Sequence, residues 1–252
     1  MNWPENFIDC EQGEGDWLQM RAGCVTSSRV ADVVAVLKRK SGDKQKGDPT
    51  AARDKYLLEM VCERLIGKAS DHYVSRWMEE GKEKEPEARG AYEHIKGVDC
   101  EQIGFVLHPR IKFAGASPDA LIGRGGGAEF KCPKTETHLK YLMAGVVPEQ
   151  YKPQMYWQMA CCGWEWCDFA SHDPGLIRAP KLKTFIAPRL YRDEKIISEM
   201  EAQVEQFNHE VEEMLLKLDP DYIYNTLKAS VEQVNEQKDR ELVAAFNDNL
   251  VP

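Results

Sequence analysis

The stretch Gly115–Pro133, "GASPDALIGRGGGAEFKCP", constrains the fold more than any other in the chain. Two short β-prone runs, 111–115 ("IKFAG") and 118–122 ("PDALI"), lead into "GRGGG", whose glycines supply left-handed turn conformations at no steric cost. "AEFK" then reads as the returning strand of a hairpin. Alternation along a strand puts Glu129 and Lys131 on one face and turns Phe130 toward the core. With Asp119 ten residues before Glu129, two carboxylates and one amine occupy adjoining strand positions.

The rest of the chain supplies helices around this centre. "SSRVADVVAVLKR" (27–39) has helical apolar spacing, with Thr26, Ser27 and Ser28 as candidate caps. Residues 40–50 read as a mobile loop, 51–67 as an amphipathic helix closed by Gly67, and 85–97 as a helix with Pro86 in its first turn. After the hairpin, 149–164 predicts a buried helix, 166–173 and 182–188 strands, and 193–218 a long amphipathic helix. Strands flanked on both sides by helices make an α/β class fold, and 252 residues with 42% hydrophobic content suffice for one α/β domain or one domain with an appendage, of which a single domain is expected.

Composition excludes several classes. No apolar run reaches the roughly 18 residues of a membrane span, and the acidic start "MNWPENFIDCEQGEGDW" lacks a signal pattern, so no membrane partner and a cytoplasmic location are expected. The eight cysteines show no C-x2-C pair and the six histidines no ligand-like cluster, so free thiols are expected. A net charge of −9 does not itself suggest nucleic acid, although "KRKSGDKQKGD" (38–48) leaves room for local positive surface.

A hard cation such as Mg²⁺ prefers carboxylate, carbonyl and water oxygens, so Asp119, Glu129 and the carbonyl of Phe130 form an adequate protein donor set. Such an ion acidifies water, and the Lys131 ammonium can stabilise charge developing during attack on phosphorus. The same charges could instead form a solvated hairpin face. Arg21 followed by Thr26 and Ser28 at a helix start makes an anion site, or else an N-cap with a surface arginine.

"SPDAL…AEFKCP", together with "WLQMRAGCVTSS", "GKEKEPEARGAYE" and "YKPQMYWQMACCG", resembles the lambda-type phage exonucleases, or YqaJ-like viral recombinases, of the PD-(D/E)XK nuclease superfamily. The resemblance runs in order over about residues 15–218. It implies a restriction-endonuclease-like core, a central mixed β-sheet flanked by helices. A single exonuclease domain would occupy 1–218, and a helical extension without counterpart 219–252.

It further implies Asp119 and Glu129 as metal ligands, Lys131 as catalytic lysine, and Glu85 as the helix-borne glutamate beside the metal; Glu87 competes for that role, and Glu85 could equally be a helix charge paired with Arg89. Gln154 falls where the family has a glutamine near the active centre, with Gln158 one turn on, and each could instead be a satisfied core amide. Arg21, Thr26, Ser28 and Ser117 would hold the 5′-phosphate of the digested strand. The implied activity is Mg²⁺-dependent 5′→3′ digestion of double-stranded DNA ends to mononucleotides, with Mn²⁺ substituting. A 3′ single strand would remain for homologous recombination by a single-strand annealing protein. The implied assembly is a homo-trimeric ring in a phage or prophage host cell. "CCGWEWC" (161–167) does not match the spacing of iron–sulfur members, so no iron–sulfur cluster is expected. A superfamily endonuclease or repair nuclease of other polarity, and a non-catalytic DNA-end-binding module, are the alternatives.

Overall fold

The computed structural model describes residues 6–13, 15–70, 76–178 and 183–222, with side chains of 76–82 excepted. In chain order its first half holds β1 (Phe7–Ile8), α1 (Gly15–Arg21), β2 (Val25–Thr26), α2 (Val30–Val34), α3 (Ala51–Ile66), α4 (Arg76–Lys96), β3 (Phe105–Leu107) and β4 (Ala114–Ala116). The second half holds β5 (Ala120–Ile122), β6 (Gly126–Lys131), α5 (Thr135–Ala144), α6 (Lys152–Cys162), β7 (Trp166–His172), β8 (Phe185–Ile186), β9 (Arg189–Tyr191) and α7 (Glu194–Leu218). The α/β class expected from the sequence is the one observed, with mixed sheets flanked by helices.

The strands form two sheets rather than a single one. One has the order β1-β3-β4-β2, with β2 parallel to β4. The other runs β5-β6-β7-β8 with β9 also on β7, and β6 and β7 lie parallel. A parallel pair needs a long crossover, and here α5 and α6 supply it. The sheets part at Ser117-Pro118-Asp119, where Pro118 offers no donor to a ladder. Gln12 fixes that break by donating to the carbonyls of Ile103 at 2.7 Å and Pro118 at 3.0 Å.

Register sets what each face carries. Glu129, Phe130 and Lys131 pair with Phe169, Ala170 and Ser171. Phe130 points toward α4, in a buried cluster with Ala88, Tyr92, Ala120, Ile122, Ala128, Ala170 and Phe185. Its ring meets that of Tyr92 edge-on at 5.7 Å. Burying one such side chain contributes about 1.5–3 kcal/mol. Glu129 and Lys131 face the other way, as strand alternation requires.

Several boundaries differ from the sequence expectation. Residues 112–113 form a turn with Phe113 at φ 52°, so the expected strand at 111–115 begins only at Ala114 and belongs to the other sheet. The helix expected at 27–39 shrinks to Val30–Val34, because Thr26 is spent on β2 and Val36 on a bridge to Pro49. Helix α4 starts well before residue 85, which leaves Pro86 in its interior rather than its first turn. The strand expected at 182–188 is confined to Phe185–Ile186, and residues 181 and 182 lie outside the described residues. The loop at 40–50 is organised by bridges Val36–Pro49 and Ser41–Lys44. Among the described residues no helix is long and apolar enough to cross a membrane.

The chain divides into two compact units between Asn208 and His209, inside α7, and the site below lies wholly in the first. The extension expected at 219–252 lies outside the described residues from 223 onward.

Candidate active site

Glu129 sits at the centre of the site, fully buried on β6. An ionised carboxylate taken out of water needs donors around it, and three reach it. Gln154 Nε2 donates to Oε1 at 2.6 Å, Gln158 Nε2 to Oε2 at 2.6 Å, and the Lys131 ammonium pairs with Oε1. The two glutamines stand one turn apart on α6, so both aim at the same carboxylate. Asp119 joins from the segment before β5, where its Oδ2 accepts from the backbone N–H of Phe130 at 2.7 Å.

Glu85 closes the cluster from α4. Its Oε1 accepts from Arg89 Nη2 at 2.8 Å, the i,i+4 pair read in the sequence, and Arg89 Nη2 also lies 3.4 Å from the Asp119 carbonyl. Glu87 points elsewhere: its Oε1 lies 3.4 Å from His172 Nε2. Of the two competing helix acids, Glu85 is the one that the fold brings to the cluster.

The charges act on one another. Burial first, then the carboxylates of Glu129 and Glu85, push the Asp119 carboxyl well above its usual range, against the pull of Lys131. Burial and the Glu129 charge likewise raise Glu85, although Arg89 and Lys131 oppose the shift. Burial works against the Lys131 charge, yet Glu129 and Asp119 outweigh it and hold the ammonium protonated above its ordinary range. That ammonium lies 5.4 Å over the ring of Tyr151, which stacks on Phe169 at 5.0 Å.

A second cluster stands beside the first. Ser117 Oγ accepts from Arg21 Nη1 at 2.9 Å and from Trp17 Nε1 at 2.9 Å, while the Arg21 guanidinium lies 4.0 Å over the Trp17 ring. With both acceptor positions of the hydroxyl filled, Ser117 Oγ can act toward any further group only as a donor. Arg21 has no carboxylate within ion-pair reach among the described residues, and burial lowers its pKa. Thr26 is opposite Gly115 in the parallel β2–β4 pair, so the Thr26–Ser28 segment and Ser117 come to one end of that sheet. Thr26 Oγ1 and Ser28 Oγ are 3.3 Å apart.

The capping expected of Thr26, Ser27 and Ser28 does not occur: α2 starts at Val30 with Arg29 as its N-cap and no side-chain capping bond. An anion at Arg21 would therefore meet side chains rather than the amides of a capped helix start. Gly23 sets its geometry, with φ +69° in the turn after α1 and Arg64 so close that a Cβ would lie 2.6 Å from Arg64 Cγ. Sequence reading missed Trp17 and Tyr151; nothing separates such aromatic residues from core until the tertiary fold is known.

The family model of the YqaJ-like viral recombinase domain matches residues 16–165. The chain belongs to this family. The alkaline exonuclease from Laribacter hongkongensis is 35% identical, with a TM-score of 0.70 over 86% of this chain and 98% of that one. The crystal structure of the same enzyme in complex with dAMP gives 0.72 at 35% identity, over 84% and 99%. A phage related exonuclease from Haemophilus somnus 129PT, 14% identical with a TM-score of 0.57 over 78% and 96%, shares the fold. No curated protein sequence matches the chain significantly. As a YqaJ-family member, the chain is homologous to alkaline exonucleases.

Nucleases of this kind generally depend on a divalent metal. Among the described residues no three His, Cys, Asp or Glu side chains converge as a ready-made cage. The donors nevertheless fit a hard cation, for they are all oxygens and they carry more negative charge than Lys131 compensates, as the raised Asp119 carboxyl reports. Mg²⁺ takes few protein ligands and retains water, so Asp119, Glu129 and the Phe130 carbonyl would hold it, with Glu85 able to contribute a further oxygen.

Proposed function

We propose that this protein is a Mg²⁺-dependent exonuclease that digests linear double-stranded DNA from its ends in the 5′→3′ direction. It releases mononucleotides and leaves a 3′ single strand for a single-strand annealing partner in recombination. Mn²⁺ substitutes for Mg²⁺, and the working form is the homo-trimeric ring that the family resemblance implies, in the cytoplasm of a bacterial host. The observation that carries the reading is that Arg21, a half-buried cation with no carboxylate ion pair among the described residues, donates to Ser117, which precedes Asp119 by only two residues. Two residues span at most about 7 Å of chain, so a phosphate at Arg21 and a phosphodiester at the carboxylates belong to neighbouring positions of one strand.

The chemistry follows from the side chains. A divalent cation supplies Lewis acidity and a polarised water at this kind of site. Glu129 and Asp119 present the oxygens, and Glu129 is held in place by Gln154 and Gln158. Water attacks the scissile phosphorus and the P–O3′ bond breaks. The first nucleotide departs as a 5′-mononucleotide, and the next one retains a new 5′-phosphate. Lys131, charged throughout, stabilises the extra negative charge on phosphorus. Arg21, with the free Ser117 proton, then takes the new terminal phosphate, whose charge exceeds that of an internal diester. Binding of dAMP by the Laribacter hongkongensis relative agrees with a mononucleotide product.

The test is digestion of a 5′-phosphorylated linear duplex and a covalently closed circle, each with and without Mg²⁺. The linear DNA should disappear only with metal, with mononucleotides as product, while the circle survives. Cutting of the circle would make the protein an endonuclease, and metal-independent digestion would overturn the site assignment.

A further inference from the structure

Oxygen by oxygen, the hydrogen bonds at Glu129 are unequal. A carboxylate oxygen accepts about two hydrogen bonds. Oε1 receives both Gln154 Nε2 and the Lys131 ammonium and is saturated, whereas among the described residues Oε2 receives only Gln158 Nε2, at 2.6 Å, and retains one acceptor position. The oxygen of Glu129 that is free to bind a cation is Oε2.

Gln158 is fully buried, and its amide has only one workable orientation. The carboxylate accepts and cannot donate, so the NH₂ group must face Glu129 and the amide oxygen must face away. There the fully buried Cys167, on β7, donates its thiol hydrogen to Gln158 Oε1 at 3.6 Å. The alternative acceptor for that thiol, the Asp168 carbonyl, is farther at 4.0 Å. Cys167 thus donates to Gln158 and Gln158 to Glu129, a hydrogen-bonded chain that runs from the strand next to β6 to Oε2 of the carboxylate.

We propose that Gln158, fixed in one amide orientation by Cys167, is the positioning residue that presents Oε2 of Glu129 to the divalent cation. Gln154 and Lys131 fill the other oxygen, so the carboxylate binds through one oxygen and in one rotamer. The inference deepens the metal-dependent reading above and rests on it. Outer partners of a metal-binding carboxylate commonly govern affinity about 10–100-fold.

The test uses the full chain without DNA, with Mn²⁺ affinity read by titration calorimetry and thermal unfolding followed without metal. Gln158→Met keeps the volume and removes the donor; Mn²⁺ binding should weaken about 10–100-fold while the metal-free protein still unfolds cooperatively. Cys167→Ala should weaken binding about 2–10-fold, the worth of one modest hydrogen bond, and Cys167→Ser, which keeps a donor, should recover most of that loss. Wild-type Mn²⁺ affinity in Gln158→Met would overturn the proposal, whatever its melting temperature. If that variant does not fold, wild-type affinity in Cys167→Ala overturns it equally. Glu129→Ala separates the two levels: should it still bind Mn²⁺ as wild type does, the metal assignment itself falls, whereas loss there with no effect at Gln158 removes only the positioning role.

Discussion

At the scale of single residues, the site is a balance between buried like charges and a few donors that hold them. Burial and the charges of Glu129 and Glu85 raise the Asp119 carboxyl, so the folded chain keeps that proton over a pH range in which the unfolded chain has lost it. The stability so gained is complete below the ordinary carboxylate pKa near 4 and is lost as pH rises toward the raised value. Asp119→Asn should therefore melt higher than the metal-free wild type at pH 8, by about 2–4 °C for each kcal/mol of repulsion removed, and the two melting curves should converge at acid pH. Calorimetric scans from pH 5 to pH 8 check this, and a constant gap across the range would contradict it. Lys131 stands apart, since in the proposed site it supplies charge rather than a metal ligand. Lys131→Ala should keep Mn²⁺ binding but lose about 10²–10³-fold in turnover, as judged by titration and single-turnover digestion. Arg21→Ala should slow digestion of 5′-phosphorylated ends far more than that of 5′-hydroxyl ends, measured as initial rates at fixed salt because phosphate contacts weaken as salt rises. A preserved preference for phosphorylated ends would remove Arg21 from the phosphate pocket.

At the scale of elements, the hairpin and its glycines decide whether the carboxylates meet. The turn "GRGGG" uses its glycines mostly for space: only Gly123 has a left-handed φ, at +59°, while a Cβ on Gly126 would come within 2.2 Å of Trp166 and one on Gly127 within 2.1 Å of Trp164. Gly127→Ala should accordingly destabilise the fold by about 1–3 kcal/mol through overpacking, as read from urea midpoints, and an unchanged midpoint would show that Trp164 yields freely. The alternation of "AEFK" was legible because a period of two needs no partner to be read. So were the long helices at 51–66 and 194–218, whose apolar stripes repeat over several turns. The shortened helix after Thr26 and the start of α4 before Pro86 were not legible, since β2 and the packing of α4 are set by contacts distant in sequence. In the site, Asp119, Glu129 and Lys131 could be found from one hairpin. The choice of Glu85 over Glu87 needed the fold, because it depends on which side of α4 meets β6.

At the scale of the whole molecule, a chain of net charge −9 must handle an anionic polymer, so attraction has to be local. Exposed Lys38, Arg39, Lys40 and Lys46 supply local positive charge, and Arg21 with Lys131 places cations where phosphates would sit. The central claim is that these groups act in a fixed order along one strand: the end phosphate at Arg21, the scissile diester at the carboxylates. The most direct measurement is digestion, with Mg²⁺, of a linear duplex that bears a 5′-phosphate on one strand and a 5′-hydroxyl on the other, with distinguishable labels at the two 3′ ends. The phosphorylated strand should shorten first, yielding mononucleotides while its 3′ label stays on the remaining polymer until late. Early release of either 3′ label would mean that the protein enters from the 3′ end, and would contradict the assignment of Arg21 and Ser117 to the 5′-phosphate.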